Sequence, residues 1–413
     1  MDLVSDRGRR ITVDELNTTQ LLAHARKEAN RRKFDDMLII DVDAHHYESE
    51  HISDILPFME NDVFRQLAQS GRERGGRAAS LTPGVIGYQD IGGRVTRYPL
   101  RGSEKTETGK PRDVQLTFRW MDAMGVDYSC LFPTNMLTLG MHPQKEMEVQ
   151  LCWAYNRWLT EKVLPESEGR IYSMLNLPFS DPDACLRAVE TFGGRKGVTG
   201  FMVTTVRDQP VHENAYMKVY RAIEERGLSL AFHSGFNWSE NVFKGCNRFI
   251  SAHALGFSFY NILHCTNWVI NGLGERFPKL PVIWVEAGLA WVPFLMQRLD
   301  HEYMLRTSEA PLLKKKPSEY MRDMYYSTQP MEVQDMGALE CTFRMINAET
   351  QLLWSSDYPH WDFDLPTVIY DLPFLSEKGK HNILGGTASR LFKLPARNAA
   401  QKANLQKYGN LAA

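Results

Sequence analysis

The chain of 413 residues is expected to fold as an α/β protein, specifically a (β/α)8 TIM barrel, with a cap or lid inserted after strand 1 and a helical arm at the N-terminus. Three observations predict this. Short apolar runs alternate with helical stretches until eight strands are counted. Several of those runs end abruptly in an acid or a histidine, at points spread along the whole sequence. No G-x-G-x-x-G or phosphate-loop glycine pattern follows any strand, which weakens the competing open doubly wound sheet.

Residues 1–36 form the arm, in which Leu16, Leu21, Leu22 and Ala25 give a polar segment a thin apolar stripe. It is expected to lie on the domain or on a partner subunit. The barrel is expected over 37–394, opening with a strand at 37–43 that runs into Asp41-Val42-Asp43-Ala44-His45-His46-Tyr47-Glu48. Strand residues two apart share a face, so Asp41, Asp43 and His45 should point one way and Val42 and Ala44 the other. Residues 54–112 are long, polar and rich in Arg and Gly, and suit a cap over a site carried by the preceding strand. From there the pattern is regular: helix 114–124, strand 128–132, helix 145–163, strand 171–177, helix 182–192, strand 198–203, helix 215–226 and strand 228–233. Helical segments over 251–277 lead to a strand at 281–286, a helix at 291–303, a strand at 324–327 and a last strand at 351–357. Residues 395–413 are left as a tail.

Composition narrows the function classes. With 48 basic and 50 acidic residues the net charge is -2, so neither nucleic acid nor an anionic membrane is an expected partner. A hydrophobic fraction of 43% suits a globular core, and no run is long enough to span a bilayer. The six cysteines are scattered without a C-x-x-C pair, as expected of reduced, buried thiols. Met1 to Arg7 carries no apolar segment of the secretory kind, and a cytoplasmic location is the expectation.

Four strand ends carry ionisable groups: Asp43 and His45 on the first, His233 on the fifth, Glu286 on the sixth and Asp357 on the eighth. In a barrel these C-terminal ends converge on one face. Two histidines among carboxylates suit one divalent metal ion, zinc, manganese or iron. Taken singly, a strand-end histidine is more often structural, and an aspartate there commonly caps the next helix. Taken together, those ordinary explanations require several coincidences at corresponding positions. His46, although it alternates to the other strand face, is a candidate for lining the site, and Phe236, Trp238, His360 and Trp361 follow the ligand positions directly. These five are the candidate substrate-binding residues, the aromatic ones serving as walls for a ring.

The segments Ile40-Asp41-Val42-Asp43-Ala44-His45, Leu230-Ala231-Phe232-His233-Ser234-Gly235, Trp284-Val285-Glu286-Ala287-Gly288 and Trp354-Ser355-Ser356-Asp357-Tyr358-Pro359-His360 resemble the amidohydrolase superfamily. The similarity is to its amidohydrolase-2 branch, which contains the aminocarboxymuconate semialdehyde decarboxylase-like enzymes. Ile383-Leu384-Gly385-Gly386-Thr387-Ala388 resembles the last helix of that family. The resemblance implies that Asp43, His45, His233 and Asp357 are metal ligands, that Asp357 doubles as acid/base, and that the protein is a homodimer or larger homo-oligomer. Two departures stand out: Asp43 replaces a more usual histidine, and Glu286 occupies a sixth-strand position that is often histidine.

The expected activity is therefore that of a metal-dependent hydrolase, in which metal-activated water attacks a small cyclic or aromatic acid or ketone. Asp357 and Glu286 are its expected catalytic residues. The alternative is nonoxidative decarboxylation of an aromatic or muconate-type acid. A catalytically dead barrel serving as a binding protein is the third reading, and it predicts a missing ligand where none is missing.

Overall fold

The computed structural model describes residues 18–73, 106–107, 109–235, 240–360 and 362–408. Eight strands pair in chain order: β1 (Ile40–His46), β2 (Tyr128–Pro133), β3 (Ile171–Asn176), β4 (Val198–Thr204), β5 (Ser229–His233), β6 (Val282–Val285), β7 (Tyr325–Ser327) and β8 (Leu352–Leu353). All seven neighbouring pairs in that order run parallel, as strands linked by helical crossovers must when each helix covers the sheet.

The ring closes where β1 meets the chain leaving β8. Val42 N–H donates to Trp354 O at 3.1 Å, Asp357 N–H to Asp43 O at 2.8 Å, and His45 N–H to Tyr358 O at 2.8 Å. The last strand is thus shorter than the expected 351–357, because residues beyond Leu353 leave the β7 ladder and bond to β1 instead.

Alternation along each strand separates two apolar layers. Ile40, Val42, Phe132, Met174, Met202, Ala231, Ile283 and Val285 fill the barrel interior. Leu131, Leu175, Phe201, Phe232, Trp284 and Trp354 face the helices. In β1 the alternation breaks. Three steps from Asp41 to Ala44 oppose two steps from Ser129 to Leu131, which is a β-bulge. Val42 therefore packs inside with Ile40, while Ala44 packs outside. The expected pairing of Val42 with Ala44 on one face fails at this bulge, and the extra residue is what turns Asp43 and His45 inward.

Around the ring lie α1 (Thr18–Arg32), α2 (Asp62–Glu73), α3 (Arg112–Met124), α4 (Lys145–Trp158), α5 (Pro182–Phe192), α6 (Met217–Glu225), α7 (Phe249–Ile270), α8 (Trp291–Leu305), α9 (Met336–Met345), α10 (Thr387–Phe392) and α11 (Ala399–Tyr408). The described part of the arm, α1, buries Ala25 and Ala29 against α3, so it lies on the barrel itself. Of the expected cap at 54–112, α2 is described, and residues 74–105 and 108 lie outside the described residues. The expected tail contains α11, whose buried Gln401 donates to Met37 O at 3.2 Å and to Asp127 Oδ1 at 3.0 Å, fastening it below β1. Among the described residues no helix is long and apolar enough to cross a membrane.

The bottom of the barrel is closed by α10, with Ala388 and Phe392 in the interior layer. Just before it, a Cβ on Gly385 would lie 2.1 Å from Leu38 O. Gly385→Ala should therefore force β1 and α10 apart and destabilise the fold by at least about 1–3 kcal/mol, the usual range for overpacking. A lowered denaturation midpoint is the expected result; an unchanged one would show that the contact relaxes freely.

Candidate metal centre at the barrel mouth

The bulge in β1 and the end of β5 bring Asp43, His45 and His233 together, all buried. Asp43 Oδ1 lies 3.2 Å from Nε2 of His45 and 3.2 Å from Nε2 of His233. Each imidazole uses its other nitrogen on a backbone carbonyl: His45 Nδ1–H donates to Pro133 O at 3.1 Å and His233 Nδ1–H to Ser234 O at 2.9 Å. A carbonyl can only accept, so Nδ1 carries the proton in both rings. In a neutral ring, Nε2 then presents a lone pair to the centre.

Glu286 and Asp357 complete the mouth. Glu286 directly follows β6 at φ 55° and Asp357 follows β8 at φ 57°, the left-handed region that non-glycine residues rarely adopt. Backbone held there by its surroundings is common at functional sites. Glu286 N–H donates to Ser327 Oγ at 2.9 Å, and Asp357 N–H is the one that bonds to β1. Ligand atoms of Asp43, His45, His233 and Glu286 all lie within 4.8 Å of one another. Asp357 falls into an overlapping group with His45 and His360.

Burial dominates the electrostatics. It pulls the His45 imidazole below its ordinary value, against the raising effect of Asp43. For Asp43 burial works to raise the carboxyl, but the facing His233 and His45 more than offset it, and the group stays well below the usual carboxylate range. A neutral His45 therefore points a lone pair at Asp43 and, at 3.4 Å, at Asp357 Oδ1. Among the described residues neither His45 Nε2 nor Asp43 Oδ2 has a hydrogen-bond partner. Acceptors facing acceptors in a buried site are repulsive unless a cation sits among them. The donor set of imidazole nitrogen and carboxylate oxygen fits a divalent first-row ion.

Asp41 lies behind the ligand positions and builds the site without joining it. Its carboxylate accepts from Asp43 N–H at 3.0 Å, Ser356 N–H at 2.9 Å and the Ser356 hydroxyl at 2.5 Å. Burial pushes its carboxyl well above the usual range, against those hydrogen bonds. Glu48 plays a similar part, accepting from Thr134 N–H at 2.9 Å and Met136 N–H at 2.7 Å, which holds the end of β2 against β1.

His360 lies in this layer too. Its Nδ1 is 2.7 Å from Asp357 Oδ1, its Nε2 3.2 Å from Thr134 Oγ1, and its ring stacks on His45 at 4.2 Å. The part played by Thr134 was not foreseen from the sequence; the three-residue spacing of Asp357 and His360 was the available signal for their contact. His46 goes elsewhere: its nitrogens meet Asp113 Oδ1 at 3.2 Å and Tyr155 OH at 2.8 Å, and its ring stacks on Trp158. The structure does not bring it into the Asp43 cluster. Phe236, Trp238 and Trp361 lie outside the described residues.

An eight-stranded parallel barrel with a histidine and carboxylate cluster at the C-terminal ends of its strands defines a barrel enzyme of the metal-centre class. The chain belongs to the amidohydrolase family, in its amidohydrolase-2 branch, whose model matches residues 40–394. No curated protein sequence matches it. Solved structures share the fold. The 5-carboxyvanillate decarboxylase of Sphingomonas paucimobilis is 21% identical with a TM-score of 0.65, the match covering 87% of this chain and 100% of that one. A dihydroxybenzoic acid decarboxylase from Polaromonas sp. JS666, with bound manganese and the inhibitor 2-nitroresorcinol, is 17% identical with a TM-score of 0.58, over 89% of this chain and 99% of that one. The 5-carboxyvanillate decarboxylase of Novosphingobium aromaticivorans, complexed with manganese and 4-hydroxy-3-methoxy-5-nitrobenzoic acid, is 17% identical with a TM-score of 0.59, over 87% and 97%.

Asp41→Ala should strand the Asp43 and Ser356 amides in a buried seam, at about 1–3 kcal/mol for each unsatisfied group. The expected outcome is a folded but less stable protein whose metal content falls with its melting temperature. Unchanged stability would show that the Asp41 network is dispensable.

Proposed function

We propose that the protein is a nonoxidative, metal-dependent decarboxylase of a small aromatic acid. The observation that carries the metal-dependent part is the buried meeting of the Nε2 atoms of His45 and His233 with the Asp43 carboxylate. Likeness in fold to enzymes named as decarboxylases supports carbon–carbon cleavage better than hydrolysis, which the sequence alone places first. Manganese, bound in two of those structures, is the ion we infer here, and the carboxylate-rich shell agrees with it.

Asp43, His45 and His233 would hold the ion together with a carboxylate from the mouth. When bound, it polarises the substrate's oxygens and fixes its carboxylate in place. Asp357 is the acid. In its protonated form it gives its proton to the ring carbon that bears the carboxylate. The carbon–carbon bond then breaks, its electron pair restores the ring, carbon dioxide leaves, and Asp357, left as carboxylate, takes a proton back from water. His360, hydrogen-bonded to Asp357 and stacked on His45, keeps that carboxyl aimed. Association with a second copy, implied by the family resemblance, is supported by α7, which leaves Leu255, Phe259 and Leu263 exposed at helical spacing along one stripe.

The test is carbon dioxide release from a panel containing 5-carboxyvanillate and 2,6-dihydroxybenzoate. Release that stops on chelation and returns with manganese is expected, and Asp357→Asn should lower kcat by about 10²–10⁴-fold, the usual contribution of an acid/base group. No release, with hydrolysis of a lactone or ester panel instead, would move the assignment to the hydrolase.

A further inference from the structure

We propose that Asn176, the last residue of β3, is a specificity-determining residue whose side-chain amide binds a hydroxyl group on the ring of the substrate. The assignment deepens the decarboxylase reading and rests on it for the class of substrate, a small aromatic acid.

Register places Asn176 in the same layer of the barrel as the two histidines. Tyr172 and Met174 of β3 lie in the interior layer and Leu175 and Leu177 on the helix side, so Asn176 takes the next interior position. Asn176 is opposite Met202 of β4, and Met202 is opposite Ala231 of β5, which leaves His233 two residues further along. In the other direction His45 is opposite Phe132, and the register of Ser129 with Ile171 carries Phe132 to Met174, two residues short of Asn176. In a barrel of eight strands, equal height is reached by climbing about one residue per strand, and each interior layer draws on alternate strands. His45, Asn176 and His233, from β1, β3 and β5, therefore stand at one height.

Asn176 is 2% exposed, and among the described residues neither Nδ2 nor Oδ1 of its side chain has a hydrogen-bond partner. Its backbone is held by a second buried asparagine. Asn156 Nδ2–H donates to Asn176 O at 2.8 Å, and Asn176 N–H donates to Asn156 Oδ1 at 3.2 Å. The end of β3 is thus braced while the amide it carries is unspent. A buried amide left unmatched destabilises a fold, and local costs of this kind are characteristic of groups kept for a ligand.

The chemistry of the amide selects its partner. It offers a donor and an acceptor at once and carries no charge, which matches a hydroxyl, itself donor and acceptor. A carboxylate would satisfy Nδ2 and leave Oδ1 facing another acceptor. The same mouth already holds the carboxylates of Asp43, Glu286 and Asp357, which disfavour a further anion. Asn176 makes no hydrogen bond with the Asp43 cluster, so the hydroxyl it reads is one that the ion does not hold.

The experiment compares manganese-loaded wild type, Asn176→Leu and Asn176→Ala. Turnover of 2-hydroxybenzoate is set against that of 2,3-, 2,4-, 2,5- and 2,6-dihydroxybenzoate. Calorimetric binding of phenol against catechol, resorcinol and hydroquinone, the decarboxylated forms, gives a readout independent of turnover. Wild type should favour at least one dihydroxy acid and its diol over the monohydroxy counterparts at least about tenfold, since a site built to hydrogen-bond a hydroxyl rejects the analogue that lacks it. Asn176→Leu should erase that preference. It should also melt no lower than wild type, because the amide it removes has no partner in the fold, and bind manganese as tightly. Asn176→Ala should lose the same preference and guards against a packing defect in the leucine variant. A preference absent from wild type, or surviving in both variants, would overturn the proposal. A leucine variant that melts well below wild type, or binds manganese at least about tenfold more weakly, would overturn it by assigning the amide to the fold or to the ion. Diol binding that depends on Asn176, in a protein that releases no carbon dioxide from any of these acids, would uphold the hydroxyl site and overturn the decarboxylase reading alone.

Discussion

The seam between β1 and the chain leaving β8 is the constraint on which the site depends. Three backbone hydrogen bonds and the Asp41 carboxylate join the two segments there, and the joined residues include Asp43, His45 and Asp357. The bulge in β1 belongs to the same seam. Without its extra residue, Asp43 and His45 would stay in phase with Asp41, on the face away from Ile40 and Val42, and the interior-facing positions would remain apolar. Barrel closure and ligand presentation are one event here, because the hydrogen bonds that complete the ring also set the direction of the side chains.

Inside the seam, electrostatics take over from packing. Pro133 O and Ser234 O each accept an Nδ1–H, which leaves two imidazoles with their Nε2 atoms toward Asp43. A buried arrangement of this kind is unfavourable by itself and becomes favourable around a cation. Asp41 and Glu48, spent on backbone amides, hold the frame. Asp357 and His360, bonded to each other, adjoin the cluster through His45. In the proposed reaction the carboxylates at this mouth divide between holding the fold, holding the ion and moving a proton.

Much of this was legible in the sequence. Strand ends that switch from apolar residues to Asp43, His45, His233 and Asp357 are long-range signals that a barrel converts into proximity, and the strand positions follow directly from the apolar runs. What was not legible has local causes. The bulge depends on how β1 registers with β2, a non-local pairing that alternation in β1 alone does not encode. The shortness of β8 has the same origin, since residues after Leu353 change partner from β7 to β1. His360 could be placed near the mouth but not assigned to Asp357, because that contact needs the left-handed turn at Asp357. His46, one residue beyond a ligand position, goes to Asp113 and Tyr155, neither of which carries any motif.

The account's central claim is that a divalent ion sits among His45, His233 and Asp43. Anomalous diffraction at the manganese edge, from crystals grown with that ion, tests it most directly. One peak is predicted, within about 2.3 Å of Nε2 of both histidines and of a carboxylate oxygen of Asp43. A peak bonded to other residues, or none at saturating manganese, would contradict it.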